Sequence, residues 1–438
     1  MKPPVGKLMA VALRRCRDAE IVWEERVEVD LVDPGKRRER SGWGIRVNLE
    51  GRLGWAFGPV DDSPENLLEE ASRSARDSTQ EGILFSHGLP FTGKVASNEP
   101  VQLEPHLEKL SRMVGRIRFL VPSLVPERQV GIRAGLRHQR LTLLTRAGEQ
   151  TGERIVYYLS IRSPEEPQLN AVLLASRLRE SPADILCRLA WRAAHSTKIE
   201  ELEAGDYAAL LTESAAGALL RDLVDEHLNA AKFADHQELA APWGESWLSP
   251  DVTIQDDGTL PSGPGTVAFD GEGQARRPVS LIQDGTVHHH LADRYHARSL
   301  GVSAPGLAVR PWGQPPRPGW SNLSMEPGEF SLGDLARKVS DGVILDRLVP
   351  CDAPREPGEF CRLAEIAYRL RGGRPAERLT PMLVRGTFTE LLGKELMGIG
   401  AERSWSGRCF SPPMAVGRLR LEGADGIATR DEHHGSWW

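Results

Sequence analysis

A turn-rich stretch between residues 256 and 301 decides the fold of this chain. It reads Asp256-Asp257-Gly258-Thr259, then Phe269-Asp270-Gly271-Glu272-Gly273, then Leu281-Ile282-Gln283-Asp284-Gly285-Thr286-Val287. Each part contains an Asp-Gly pair, which is typical of tight turns because glycine adopts positive φ freely and aspartate tolerates it. Apolar runs at 266–269 and 279–282 predict strands between the turns. Residues 292–300 predict a helix that Gly301 ends.

Composition sets limits on the class of protein. The chain has 438 residues, 40% of them hydrophobic, and a formal net charge of −6 with acids and bases interspersed. That charge argues against a surface for nucleic acids. Five cysteines without a Cys-x-x-Cys pair favour a reducing compartment over a disulfide framework. No apolar run approaches the roughly 18 residues that cross a bilayer. We therefore expect a soluble cytoplasmic protein with no nucleic-acid or membrane partner.

The N-terminal part predicts an α+β domain over residues 1–200. Residues 43–49 and 53–57 predict a hairpin, and Ser63-Pro64 predicts the capped start of a helix. Ser181-Pro182-Ala183-Asp184 predicts a capping box for a later helix. Antiparallel strands are predicted at 130–136, 140–145 and 155–161, with 169–174 as a candidate fourth strand.

A polar segment at 196–206 is the predicted boundary to a second domain. After it come a strand at 207–212 and the longest predicted helix, at 214–232. Five prolines between Ser303 and Trp320 predict a long loop without regular structure. Later strands complete a C-terminal, mainly β domain with inserted helices at 206–424, and residues 425–438 are predicted to be a flexible tail. The predicted fold class is α+β in two domains.

The order of these segments resembles the C-terminal domain of the TldD/PmbA family of peptidase-complex proteins. The similarity covers most of residues 206–423, and no single motif decides it. Besides the three turn motifs, it rests on Leu291–Gly301, Ser321–Gly328, Gly358–Phe360, Thr380–Gly386 and Ser411–Pro413. The resemblance implies that family's fold and a role in peptide hydrolysis.

The resemblance also implies where a metal would bind. In the TldD branch, the helix aligned with residues 214–232 carries His-Glu-x-x-x-His, whose histidines hold zinc together with a distant cysteine. The glutamate of that motif serves as the general base. Here the three positions are Asp225, Glu226 and Ala230. A catalytic zinc normally has three protein ligands and alanine cannot be one, so we predict no metal in this chain. Glu226, at the degenerate motif position, is the remaining candidate catalytic residue, and a partly buried helix acid is the favoured interpretation of it.

Other histidines and Cys409 offer no replacement ligand set. His227 falls in the apolar stripe of the predicted helix, which favours a hydrogen-bonded core histidine, and His236 lies beyond the helix end. The run 288–290 predicts a strand with His289 on one face and the other two histidines on the opposite face. His433-His434 is a weaker candidate still. Cys409 stands near the position of the family's zinc cysteine, but without the two histidines it would be a ligand without a site.

The resemblance therefore implies a PmbA/TldE-like, non-catalytic subunit of a TldD/TldE-type zinc metallopeptidase complex. Such a complex would process extended peptides, in precursor maturation or in degradation of unfolded peptides, with the zinc in a TldD-type partner. The loop residues Trp312 and Trp320 are predicted to contact the partner or the substrate, because aromatic side chains are favoured anchors at interfaces. Two alternatives stay open: a self-sufficient hydrolase with a site around Glu226 and His227, and a homodimeric peptide-binding protein.

Overall fold

The structure is a computed structural model that describes residues 5–31, 36–85, 102–166, 169–178, 181–195, 198–233 and 236–428. An N-terminal antiparallel sheet with helices precedes a β-rich part that contains a barrel. The predicted α+β fold class is confirmed. Most of the predicted tail, from residue 429 on, and His433-His434 lie outside the described residues, and the predicted domain limits stay a prediction.

The N-terminal sheet is fully antiparallel, in the order β3-β2-β1-β4-β5-β6. Its strands are β1 Asp18–Asp30, β2 Arg37–Leu49, β3 Arg52–Pro59, β4 Gly131–Thr145, β5 Gly148–Arg162 and β6 Ala171–Ala175. The hairpin predicted at 43–57 is confirmed, with its turn at Glu50 (φ 51°) and Gly51 (φ 80°). The strands predicted at 130–136 and 140–145 are one strand, so that prediction was wrong. The polar residues between them do not interrupt the strand, because Arg137 and Gln139 point to the sheet face opposite the helices while the backbone stays paired with β5.

Helices cover the other face of this sheet: α1 Val5–Arg15, α2 Pro64–Asp77, α3 Glu104–Leu124 and α4 Ala183–Ala194. The predicted cap of α2 is confirmed, because the Ser63 hydroxyl accepts a hydrogen bond from the Asn66 N–H. The predicted capping box at 181–184 was wrong. Pro182 occupies the N-cap position of α4 and offers no side-chain acceptor, while the Ser181 hydroxyl accepts from the Ala183 N–H at 3.2 Å.

In the described residues, the C-terminal part adds sixteen strands, which form two sheets and a small hairpin, and four α-helices. The first half comprises β7 Ile199–Glu200, β8 Gly205–Leu211, α5 Glu213–His227, α6 Ala230–Phe233, β9 Ile254–Asp257, β10 Pro278–Gln283, β11 Thr286–Val287, α7 Arg294–Ser299, β12 Ala308–Val309 and β13 Arg317–Pro318. The second half comprises β14 Leu323–Met325, α8 Leu332–Val339, β15 Gly342–Val349, β16 Glu359–Arg371, β17 Arg374–Leu379, β18 Met382–Thr387, β19 Leu396–Ile399, β20 Ser404–Ser406, β21 Cys409–Ser411 and β22 Met414–Gly423.

Five of these strands close into a barrel. They follow the order β15-β8-β22-β18-β16, and β16 pairs back with β15. Closure leaves these strands without a free edge, which removes the usual site of edge-to-edge association. A large apolar cluster joins the barrel to helix α5, through residues such as Leu219, Leu223, Leu345 and Phe360. The barrel thus fixes the position of α5. Among the described residues, none of the helices combines the length and the apolar character needed to cross a membrane.

The turn-rich stretch contributes β10, β11 and the end of β9 to the second sheet, whose order is β11-β10-β9-β14-β21-β20. The Asp284-Gly285 turn joins β10 to β11 with φ of 48° and 73°. The helix predicted at 292–300 is confirmed as α7, and Gly301 ends it at φ 70°. The strand predicted at 266–269 was wrong. Asp270 holds a compact loop there instead, because its carboxylate accepts hydrogen bonds from the backbone of Glu272, Gln274 and Ala308.

The helix predicted at 214–232 is also shorter than expected. It ends at His227, and α6 is a separate turn. The Leu228 carbonyl accepts from the Leu291 N–H at 2.6 Å, and the Ala230 N–H donates to the Leu291 carbonyl at 2.9 Å. The backbone around residue 229 therefore pairs with the chain at 291 instead of continuing the helix.

Candidate functional site at the end of helix α5

Helix α5 lies across the strands β20 and β21, and a glycine permits the close approach. A Cβ on Gly217 would stand 3.2 Å from the Cβ of Cys409 and 3.1 Å from the Ser411 hydroxyl oxygen. The Ser411 hydroxyl also donates to the Glu213 carbonyl at 2.7 Å, in the first turn of the helix. These contacts fix α5 near its N-terminal end, so its last turn is directed toward the Pro-rich loop.

Asp225, in that last turn, is held by an aromatic side chain of the loop. The indole Nε1 of Trp320 donates to Asp225 Oδ1 at 2.9 Å. Burial raises the pKa of Asp225 above its ordinary value, although this hydrogen bond acts in the opposite direction. The Arg408 guanidinium lies 4.2 Å from the centre of the Trp320 ring and donates to the Trp320 carbonyl at 3.1 Å. The carboxylate is thus part of a polar cluster with a tryptophan and an arginine.

Glu226 points away from this cluster to a different arginine. Its carboxylate forms an ion pair of 2.8 Å with Arg355, and both side chains are partly exposed. Burial opposes ionisation of Glu226, but the hydrogen bond and charge of Arg355 outweigh it, so the pKa of Glu226 lies below its ordinary value. A general base works best with a pKa near the working pH, so this environment weakens Glu226 in that role.

His227 is a core residue, as its place in the apolar stripe predicts. Its Nδ1 lies 2.8 Å from the Leu239 carbonyl, and its ring packs against Trp247 and Phe388, each with ring centres 5.5 Å away. Burial lowers the pKa of His227, which keeps the imidazole neutral. The ring therefore belongs to the packing beneath the helix.

Ala230 and Cys409 complete the positions that the family resemblance singled out. Ala230 is buried at the start of α6. Cys409 is fully buried on β21 opposite Gly217, which precedes Asp225 by eight residues. At 1.5 Å per residue, the two positions lie about 12 Å apart along the helix axis. These residues do not converge on one point, and the described part of the chain contains no group of three or more His, Cys, Asp or Glu side chains arranged to hold a metal ion.

The histidine run does not form the predicted strand, because β11 ends at Val287. His289 Nδ1 lies 2.8 Å from the Ser280 carbonyl, and His290 Nε2 lies 2.9 Å from the Ala241 carbonyl. His288 is exposed while His290 is buried, so these two do not share one face as predicted. The exposed His236 lies beside Glu238 at 3.2 Å, beyond the end of α5. The imidazoles of His236, His289 and His290 thus serve separate local contacts.

The Pro-rich loop packs on the N-terminal sheet of its own chain. It is not wholly irregular, since β12 pairs with β13. Trp320 is buried, whereas Trp312 is half-buried, with its ring centre 5.8 Å from that of Phe57 and 5.0 Å from the Arg26 guanidinium. The Trp55 indole donates to the Gly313 carbonyl at 3.4 Å. The contact of this loop with a partner or a peptide stays a prediction.

A cavity at the junction of the two parts was missed by the sequence reasoning. Its wall combines β4 and β5 with the turn-rich stretch and contains four arginines, Arg154, Arg276, Arg310 and Arg408. Arg310 forms a buried ion pair with Glu20, and Arg276 donates to the carbonyls of Gly306 and Ala308. The available signal was the alternation of polar residues along β4 and β5, which marks a sheet face not buried in an apolar core.

The turns at the rim of this cavity are held by a buried carboxylate. Asp256 Oδ1 accepts from the backbone N–H groups of Ser321 and Asn322 at 2.6 and 2.9 Å, and the Ser321 hydroxyl also donates to it. Burial raises the pKa of Asp256, and nearby Arg276 opposes that shift. The first turn motif is therefore structural.

Comparison with known proteins gives a family match and several distant relatives. Residues 204–423 match the family model described as PmbA/TldA metallopeptidase C-terminal domain. A metalloprotease TldD homolog of Haemophilus influenzae is 28% identical over 152 residues, which is 34% of this chain and 32% of that protein. A metalloprotease of Methanothermobacter thermautotrophicus is 30% identical over 159 residues, 36% of this chain and 35% of that protein. The chain thus matches about a third of the length of these relatives. A metalloprotease of Methanocaldococcus jannaschii is 22% identical over 402 residues, 86% of this chain and 88% of that protein.

Two solved structures share the fold over almost the whole chain. TldE from Thermococcus kodakarensis superposes with a TM-score of 0.76 at 19% identity, covering 96% of this chain and 100% of that one. A Thermotoga maritima protein, solved as a candidate modulator of a DNA gyrase, gives a TM-score of 0.72 at 20% identity, covering 95% and 99%. At these identities the similarity establishes the fold alone.

Proposed function

The chain belongs to the PmbA/TldD metallopeptidase family, and from that premise we propose that it is the metal-free, TldE-like subunit of a two-subunit peptidase. A TldD-type partner would hold the zinc and carry out hydrolysis. This chain would complete the chamber and help to hold an extended peptide, either a precursor or an unfolded segment. A cytoplasmic setting is part of the same proposal.

The observation that carries the proposal is the chemistry of the last turn of α5. A zinc site needs about three protein ligands within roughly 2.3 Å of the metal. Of the three aligned positions, Ala230 has no donor atom, Asp225 is bound by the Trp320 indole, and Glu226 is paired with Arg355. The cysteine on β21 lies near the other end of the helix. The residues present therefore do not fit a zinc ion.

The rest of the scaffold supports a structural role beside a catalytic partner. The chain keeps the family's turn motifs, and Asp256 and Asp270 hold their loops with buried hydrogen bonds. A chain that keeps the framework and lacks the imidazole ligands is well suited to pair with a homologous chain that has them. Homologous domains commonly associate through similar surface patches related by a pseudo-twofold axis.

The test is co-expression with a family member that carries His-Glu-x-x-x-His. We expect a stable heteromer, peptide cleavage that chelators abolish, and no cleavage by this chain alone. In the heteromer, Glu226→Gln of this chain should leave the cleavage rate within about twofold, while the equivalent change in the partner's motif should abolish cleavage.

Two outcomes would replace the proposal. If this chain alone cleaves peptides and Glu226→Gln abolishes the cleavage, the chain is a self-sufficient hydrolase. If it forms only homodimers that bind peptides without cleaving them, it is a binding protein.

A further inference from the structure

One face of the N-terminal sheet carries a row of arginines. Alternate residues of a strand share a face, and the register places Gln139 of β4 opposite Arg154 of β5, and Gly131 opposite Arg162. Four arginines therefore lie on the face turned away from α3. We call them the arginine track: Arg133 and Arg137 on β4, and Arg154 and Arg162 on β5.

The outer end of the track lines a groove of about 490 Å³. Its wall includes three residues of the track, Arg133, Arg137 and Arg162. It also includes Lys36, which precedes β2, and Arg38 of β2. The opposing acids in the groove wall are Glu28, which forms an ion pair with Arg137 at 2.6 Å, and Asp30. Among the described residues of the groove wall, five cationic side chains face two carboxylates, on a chain whose formal net charge is −6. The groove is a cationic exception on an acidic protein.

The inner end of the track reaches the junction cavity. Arg154 Nε and Nη2 donate to Gln139 Oε1 at 3.2 and 2.8 Å. Burial and the positive charges of Arg408, Arg26, Arg137 and Arg276 lower the pKa of Arg154 to about 9. An arginine whose charge is disfavoured in this way lies in a region of positive potential, which a bound anion would neutralise.

The groove floor is shaped by a glycine and a tyrosine. A Cβ on Gly135 would stand 2.3 Å from the Tyr158 hydroxyl oxygen, so the phenol occupies the space above the glycine. Burial and the nearby carboxylates of Asp30 and Glu28 raise the pKa of Tyr158 to about 12. The hydroxyl therefore remains a hydrogen-bond donor among the arginines.

We propose that the arginine track binds an extended acidic peptide segment, whose carboxylates pair with the guanidinium groups. Guanidinium is the side-chain group best suited to carboxylate, because its planar fork donates two parallel hydrogen bonds. From Arg154 to Arg162 the strand spans about 27 Å, the length of roughly eight extended residues. Glu28 and Asp30 interrupt the positive charge of the groove wall, which suits the spaced carboxylates of a peptide better than the continuous phosphates of a nucleic acid. This proposal rests on the proposed function at one point only, because it takes the bound acidic segment to be part of the peptidase substrate.

The experiment measures fluorescence anisotropy of labelled ten-residue peptides with this chain alone. A peptide of alternating Glu and Ser should bind at least about tenfold more tightly than the same peptide with Gln in place of Glu. The reason is that each of two or more Glu carboxylates can pair with an arginine of the track, which the neutral Gln amide cannot do. Its affinity should fall steeply as ionic strength rises. Arg133→Glu combined with Arg162→Glu changes exposed positions of the track and should weaken binding at least about tenfold.

The matched control is Arg112→Glu combined with Arg118→Glu, two exposed arginines on α3, on the other side of the sheet. It makes the same change in net charge and should leave binding within about twofold. Equal binding of the Glu and Gln peptides, an equal loss in the control, or equal binding of a labelled DNA duplex would each overturn the proposal. The partner and its zinc do not enter this measurement, so failure here and failure of the heteromeric peptidase are separate results.

Discussion

Trp320 and Asp225, ninety-five residues apart, are joined by a hydrogen bond of 2.9 Å from the indole N–H to the carboxylate. The bond ties the end of the Pro-rich loop to the last turn of α5, at the position where the TldD branch places its first zinc histidine. In this chain a tryptophan and an aspartate thus use for loop packing a position that the resemblance aligns with a metal ligand. The bond also explains how Trp320 is buried with its polar atom satisfied.

Removing the indole donor should weaken the folded state. Trp320→Phe keeps an aromatic ring but leaves Asp225 without this donor, and we expect a loss of about 2 kcal/mol in the free energy of unfolding, measured by urea denaturation. Trp312→Phe is the matched control, because its contacts with Phe57 and Arg26 involve the ring, and it should change stability by less than about 0.5 kcal/mol. Equal losses in both variants would show that the bond to Asp225 contributes little.

The stability of the chain should fall as pH rises through the titration of Glu24. This side chain is buried, and burial raises its pKa from 4.5 to about 7, despite the nearby charges of Arg310 and Arg26. Between those two pH values the folded state binds more protons than the unfolded state, so stability decreases with rising pH. The full effect amounts to about 3 kcal/mol. Glu24→Gln should remove it, making the variant more stable than the parent at about pH 8 and no more stable at about pH 4.

Glu20, on the same face of β1, provides a control of opposite sign. Burial opposes its ionisation, but Arg310 and Arg46 outweigh burial and lower its pKa. Its ionised form therefore stabilises the folded state above the ordinary pKa, and this contribution is lost as pH falls. Glu20→Gln should destabilise the chain at neutral pH by about 3 kcal/mol, because two buried arginines lose their common partner. A Glu24→Gln variant that keeps the parent's pH profile would contradict the assignment to Glu24.

The chain purified without tags should hold no stoichiometric zinc, because alanine and a tryptophan-bound aspartate replace the two imidazoles. Elemental analysis of the chain and of Cys409→Ser should give the same background value. About one zinc per chain, lost on changing His227 or Cys409, would contradict this prediction and the proposal that the zinc is held by the partner.

Trp312 should contribute to assembly with a TldD-type partner. Its ring is half-buried against the N-terminal sheet and retains exposed surface. We expect Trp312→Ala to weaken the heteromer by about tenfold in dissociation constant, measured by analytical ultracentrifugation. Trp243→Ala removes another partly exposed indole and is the control. Unchanged assembly in both variants would show that the Pro-rich loop only connects elements of this chain and does not contribute to the contact with the partner.

The sequence by itself determined the features that depend on a few neighbouring residues. Glu50-Gly51 specifies the hairpin turn, Ser63 caps α2, and Gly301 ends α7, because backbone preference and local hydrogen bonding act within one turn of chain. The side chains at 225 and 230 likewise exclude an imidazole pair whatever the fold. The order of the turn motifs was enough to identify the family's framework.

Only the tertiary structure decided where those features meet. Helix α5 stops at His227 because the backbone of residues 228–230 pairs with Leu291, a partner sixty residues away. Cys409 lies opposite Gly217 because the helix packs on β21, and no local pattern specifies that contact. The arginine track arises from the register of β4 with β5. Strand pairing and helix packing are chosen by burial of distant apolar surfaces, so the cavity that they enclose cannot be located from neighbouring residues in the sequence.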